Sequence, residues 1–220
     1  QALFAVLTPR WGGRIVALYS IAGDRGAMVI GNPCDDWNWM EELNRYMDVP
    51  RNHPGALADV GFEHDAYEAK IVHEHGDPAV LRLTNVQEDS RAFGLVKEIE
   101  LQAGSACMTV RYQLPTSLDH IDIECALSPD YLQLLRNGRL SLDSVEDGNV
   151  RGCRVADVSV WVAPRSSNTY GTPYQERCGH GCVLRLSAST REICFDIGAT
   201  RAETLPGATV KVDANLMEAV

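Results

Sequence analysis

The stretch from Ala69 to Leu114 constrains this chain most, because it carries three successive apolar alternations. Val80, Leu81 and Leu83 supply the first. Phe93, Leu95, Val96, Ile99 and Leu101 supply the second, and Cys107, Met108, Val110, Tyr112 and Leu114 the third. A period of two, with β-branched and aromatic residues on one side, specifies half-buried strands. Residues 85–90 and the Gln102–Ala103–Gly104–Ser105 segment separate them with turn chemistry. Such strands bury one face, so a second sheet must lie opposite. The fold class expected is all-β: a large antiparallel two-sheet β-sandwich.

The rest of the chain repeats the pattern. Residues 2–7 read as a strand stopped by Pro9, and Gly12-Gly13 lead into a second at 14–19. These glycines allow a tight turn or a close backbone approach. Further strands are expected at 28–30, 62–75, 121–127, 139–145, 156–162, 170–174, 181–187, 192–197 and 208–212. Within 121–127, Ile121, Ile123, Cys125 and Leu127 share one side, and Asp122 and Glu124 face the other. One segment departs from the pattern. Trp39, Leu43, Tyr46 and Met47 recur at helical spacing behind Asp35 or Asp36 as a cap, which predicts one short helical excursion. Residues 49–59 form a Pro/Gly-rich loop containing His53, and long excursions in a β domain are often functional. No repeat or linker interrupts residues 1–220, which read as a single domain. The chain opens on Gln1 without a Met and is expected to be a fragment of a longer chain.

At 220 residues and 45% hydrophobic content, the chain can build one sizeable core. A formal net charge of −10 argues against a nucleic-acid partner, which needs clustered Lys and Arg. No apolar run approaches the roughly 18 residues of a membrane helix, so no membrane partner is expected. Cys107, Cys125 and Cys194 fall inside apolar strand patterns, where a cysteine acts as a small hydrophobe. That favours a reducing, cytoplasmic compartment. No phosphate loop, dinucleotide fingerprint, serine elbow or zinc-protease motif occurs, and no cofactor is expected.

Four clusters carry candidate chemistry. Trp37, Trp39, Glu41 and Glu42, with His53, Asp59, Glu63 and His64 downstream, combine aromatic faces with carboxylates. Sugars present apolar C–H faces and hydroxyls that such groups recognise. The alternative is that the tryptophans seal one end of the sandwich, and Asp35, Asp36, Glu41 and Asp48 offer a calcium reading without the usual loop spacing. On a strand, His73 and His75 of His73-Glu74-His75 share a face about 7 Å apart, where they form a solvated face, hold a metal with a third ligand, or do acid–base work. Cys178-Gly179-His180-Gly181-Cys182 lacks the second pair of a zinc finger. Glu124 and Asp122 stand either on a solvated strand face or as sugar-facing carboxylates. The catalytic candidates are His53, His73 and Glu124. The substrate-binding candidates are Trp37, Trp39, Glu41, His64 and His75. No metal is expected.

The early Gly12-Gly13-Arg14-Ile15, the block Phe93-Gly94-Leu95-Val96-Lys97-Glu98-Ile99-Glu100-Leu101 and the following Met108-Thr109-Val110-Arg111-Tyr112-Gln113-Leu114 resemble the galactose-mutarotase-like supersandwich. Aldose 1-epimerases and accessory or C-terminal domains of glycoside hydrolases share that fold. The resemblance implies a concave sheet face that binds sugars. In the epimerases a glutamate base and a histidine acid work at the anomeric centre. Their Asn-Xaa-Thr-Asn-His string is absent here. The expected function is therefore a carbohydrate-binding domain of a sugar-active protein, with a catalytic domain in the same full-length chain as partner. The alternative is an aldose 1-epimerase-like enzyme using a His/carboxylate pair.

Overall fold

The computed structural model describes residues 2–22, 25–31, 55–73, 78–127, 143–147, 149–155, 158–165, 174–178 and 181–201. Among these, every regular element is a strand. In chain order they are β1 (Ala2–Thr8), β2 (Arg14–Ala22), β3 (Arg25–Ile30), β4 (Ala56–Asp59), β5 (Tyr67–His73), β6 (Ala79–Asn85), β7 (Val96–Leu101) and β8 (Cys107–Gln113). There follow β9 (Ile121–Leu127), β10 (Asp143–Asp147), β11 (Val150–Val155), β12 (Val158–Pro164), β13 (Tyr174–Cys178), β14 (Gly181–Ala188) and β15 (Glu192–Arg201).

Two antiparallel sheets result, and the expected β-sandwich is the fold. One runs β1-β2-β3-β9-β14-β13, with β4 bridging β2 and β9. The other runs β10-β11-β12-β15-β8-β7-β6-β5. The three-strand stretch that organises the sequence becomes β6, β7 and β8, paired in succession. β7 begins at Val96 because residues 90–95 turn instead: Phe93 N–H donates to Ser90 O (3.1 Å), and Gly94 has φ +82°. The expected strand at 62–75 is delivered from Tyr67 onward.

Two strands stand where none was expected. β4 lies within the presumed loop, with all four residues buried. β11 carries Arg151 and Arg154 beside Gly152, and the glycine is needed there. A Cβ at Gly152 would sit 2.1 Å from Val160 O and 3.0 Å from Trp161 Cβ. The helical excursion and the strand expected at 208–212 lie outside the described residues.

The core fills the space between the sheets. Ile15, Leu18, Ile30, Ile123, Cys125, Leu127, Leu184 and Leu186 come from one sheet. Leu83, Ile99, Met108, Val110, Tyr112, Val160, Phe195 and Ile197 come from the other. At the β1–β2 edge, Phe4 and Val6 are exposed, and Phe4 rests near Tyr19, its register partner.

Candidate functional site

Alternation along β7 puts Leu95, Lys97, Ile99 and Leu101 on one parity, so a lysine points into the core. Lys97 is fully buried, and so is Asp59 at the end of β4. Their charged groups meet at 2.6 Å, joining one sheet to the other. Tyr67 Oη donates to Asp59 Oδ2 (2.9 Å), and Tyr112 Oη donates to Asp59 Oδ1 (3.0 Å). Lys97 Nζ also donates to Gly12 O (2.7 Å) and Leu57 O (2.9 Å). It lies 4.7 Å from the Tyr67 ring centroid and 5.4 Å from that of Tyr112.

The backbone is bent to supply those carbonyls. Gly12 and Gly13 take φ +71° and +55°, and Leu57 takes φ +66° although it carries a side chain. A buried leucine in that region costs about 1–3 kcal/mol and persists only where its surroundings over-determine it. Burial pushes Asp59 above the usual carboxylate range, against the pull of Lys97 and the tyrosine hydroxyls. Burial pushes Lys97 below the usual amine range, against the pull of Asp59. Both shifts favour the uncharged forms, as expected where an ion pair has lost its water.

An exposed corner is built directly on this knot. Trp11 precedes Gly12 at the β1–β2 turn and is 54% exposed. Exposed His64 meets it edge-on, ring centroids 5.8 Å apart at 85°. Backbone bonds fix the two loops together: Gly12 N–H donates to Asp65 O (2.9 Å), and Tyr67 N–H to Pro9 O (2.9 Å). The Asp65 carboxylate accepts from Asn85 Nδ2 (2.7 Å) and Ser90 Oγ (2.5 Å), which ties in the β6–β7 loop. Gln87, Asp89 and the half-exposed Phe93 belong to that third loop. The connection after β8 is tied to that loop by Ser117 Oγ, which donates to Arg91 O (2.7 Å), and it ends in His120, whose Nε2 lies 3.0 Å from Asp122 Oδ1. The corner therefore offers an aromatic face, the His64 imidazole and several carboxylates and amides on a braced backbone.

Of the residues singled out from sequence, His64 stands in this corner. His73 ends β5, the edge strand of the eight-stranded sheet, and is exposed. Glu124 lies on β9 in the other sheet, 5% exposed, where its carboxylate accepts from Arg185 Nε (3.0 Å). The structure thus sets His73 and Glu124 in different sheets. Trp37, Trp39, Glu41, His53 and His75 lie outside the described residues, as do the calcium candidates. Cys178 and Cys182 belong to the β13–β14 hairpin, and Gly179 and His180 between them lie outside the described residues. Among the described residues no group of three His, Cys, Asp or Glu side chains is gathered as a metal site. Sequence reasoning missed Trp11 and the knot. The signal for Trp11 was its place between Pro9 and Gly12-Gly13, at a turn tip where a large side chain has little to pack on.

Ion pairs with partly exposed side chains bridge strands of the eight-stranded sheet. Arg82 pairs with Glu98 (2.5 Å), Arg111 with Glu100 (2.5 Å) and Arg165 with Asp196 (2.9 Å).

No protein-family model matches the chain, and no curated protein does. Among solved structures, the chain is similar to a heparan sulfate lyase HepC mutant from Pedobacter heparinus, with a TM-score of 0.48 and 7% sequence identity. The match covers 86% of this chain and 31% of the lyase, so the chain spans about a third of that protein's length.

Proposed function

We propose that this chain is a carbohydrate-binding β-sandwich domain whose sugar site is the corner formed by residues 8–13, 60–66 and 86–94. The supporting observation is Trp11, a large aromatic face left 54% exposed at a turn and held against His64. A sugar ring stacks its C–H face on such an indole. Its hydroxyls then meet the carboxylates and amides of the same loops as charge-assisted hydrogen-bond partners. Because the loops are already bonded to one another, little ordering is needed on binding.

The partner this reading implies is a catalytic domain in a longer chain. The exposed Phe4 and Val6 on the β1–β2 face are the kind of apolar surface such a neighbour covers.

The test is a glycan array followed by calorimetry on the best ligand. Trp11→Ala is expected to weaken binding about tenfold or more, about 1.4 kcal/mol. Its unfolding midpoint should fall only modestly, since about half of the ring already lies in solvent. No retained glycan, or equal affinity in Trp11→Ala and His64→Ala, would overturn the assignment.

A further inference from the structure

We propose that Lys97 and Asp59 condense into an intramolecular isopeptide bond, a covalent staple between the two sheets. The inference is independent of the sugar-binding reading. It starts from proximity: Lys97 Nζ is 2.6 Å from Asp59 Oδ2, the oxygen bonded to the carboxyl carbon it would attack. Neither residue has any exposed surface, so water neither competes for the carboxyl carbon nor hydrates the amine. The reacting groups are held from every side. Gly12 and Leu57 carbonyls fix the nitrogen, and Tyr67 and Tyr112 fix the two carboxyl oxygens. Such fixation converts a slow bimolecular condensation into an intramolecular one.

The step balances without a co-reactant. Lys97 passes one proton to Asp59, giving a neutral amine and a carboxylic acid. The directions in which burial moves both groups favour that exchange. The amine lone pair attacks Cγ, forming the C–N bond. Negative charge gathers on the oxygen facing a tyrosine hydroxyl, whose donated hydrogen bond stabilises it as an oxyanion hole does. Collapse breaks the other C–O bond, and that oxygen leaves as water with the transferred proton and one more from nitrogen. The product amide is uncharged, which removes the desolvation cost of the ion pair. It keeps one N–H, enough for either the Gly12 or the Leu57 carbonyl.

The test is mass spectrometry of the full chain after reduction and unfolding. The expected mass is lower than the sequence mass by one water. Trypsin should then leave Lys97 uncut and yield residues 52–70 joined to residues 92–111, the segments bounded by Arg51, Lys70, Arg91 and Arg111. Lys97→Arg keeps a cation opposite Asp59 and should return to its own full sequence mass. A parent protein at full mass, with cleavage after Lys97, overturns the proposal. So does a water loss that persists in Lys97→Arg.

Discussion

Replacing Lys97 by Met removes the amine and keeps most of the apolar stem. Two buried carbonyls, of Gly12 and Leu57, lose their donor, at about 1–3 kcal/mol each. Asp59 loses its counter-charge while fully buried, and it retains only the two tyrosine hydroxyls. A buried carboxyl left with no cation, as Asp59 is in this variant whether the parent pair is ionic or condensed, costs about 3–5 kcal/mol, a large share of the about 5–15 kcal/mol that holds a domain together. The loss carries a pH signature. Burial raises the Asp59 carboxyl, and in Lys97→Met the strongest pull opposing that rise is gone. A carboxyl with a raised folded pKa contributes stability that is fully present below its unfolded pKa and lost as pH rises through the folded one. The deficit of Lys97→Met against the parent should therefore be greatest at neutral pH and narrow on acidification. Urea unfolding across a pH series, followed by tryptophan fluorescence, measures both. A deficit under about 1 kcal/mol at neutral pH, or one that widens as pH falls, would refute the reasoning.

Two glycines test the close approaches in the sheets. Gly55 has φ +95°, and a Cβ there would lie 2.0 Å from Ile15 O, where β4 slots between β2 and β9. Gly55→Ala should cost about 3 kcal/mol or more through strain and clash together, seen as a lower urea midpoint. Gly198 lies under the Trp161 indole, whose ring carbons would be 2.1–2.6 Å from an added Cβ. Gly198→Ala should displace that ring at a cost of about 1–3 kcal/mol, read as a lower midpoint together with a changed near-ultraviolet circular dichroism spectrum.

The sandwich was legible because its strands alternate over long stretches, as in β7, β8 and β9. β4 and β11 were not, since four residues beside Gly55, or a strand interrupted by Gly152, are too short or too broken to show a period. Lys97 was legible in principle: it shares the parity of Leu95, Ile99 and Leu101, and an inward lysine demands an anion. What the sequence could not supply was which of 30 acidic residues answers it. Asp59 is remote along the chain, and only the passage of β4 into the first sheet brings it there. Glu124 was assigned to the polar side of β9 by the same alternation. Its partner Arg185 comes from β14, a pairing fixed by sheet order alone.

The knot and the exposed corner are one construction. Gly12 gives its carbonyl to Lys97 and its N–H to Asp65, so a single residue faces both. Asp59 and Tyr67 are the two ends of the segment that carries His64, and they are bonded to each other beneath it. A loop whose ends and middle are tied in this way has few conformations left to lose, which is the condition for a surface that binds without rearranging. It follows that the knot governs the corner through geometry rather than contact. Loosening Lys97 is expected to let the Trp11 turn and residues 60–66 move independently, whereas removing the Trp11 ring takes away none of the bonds that Lys97 and Asp59 make. Stability and the proposed sugar recognition are thus expected to be separable in one direction only.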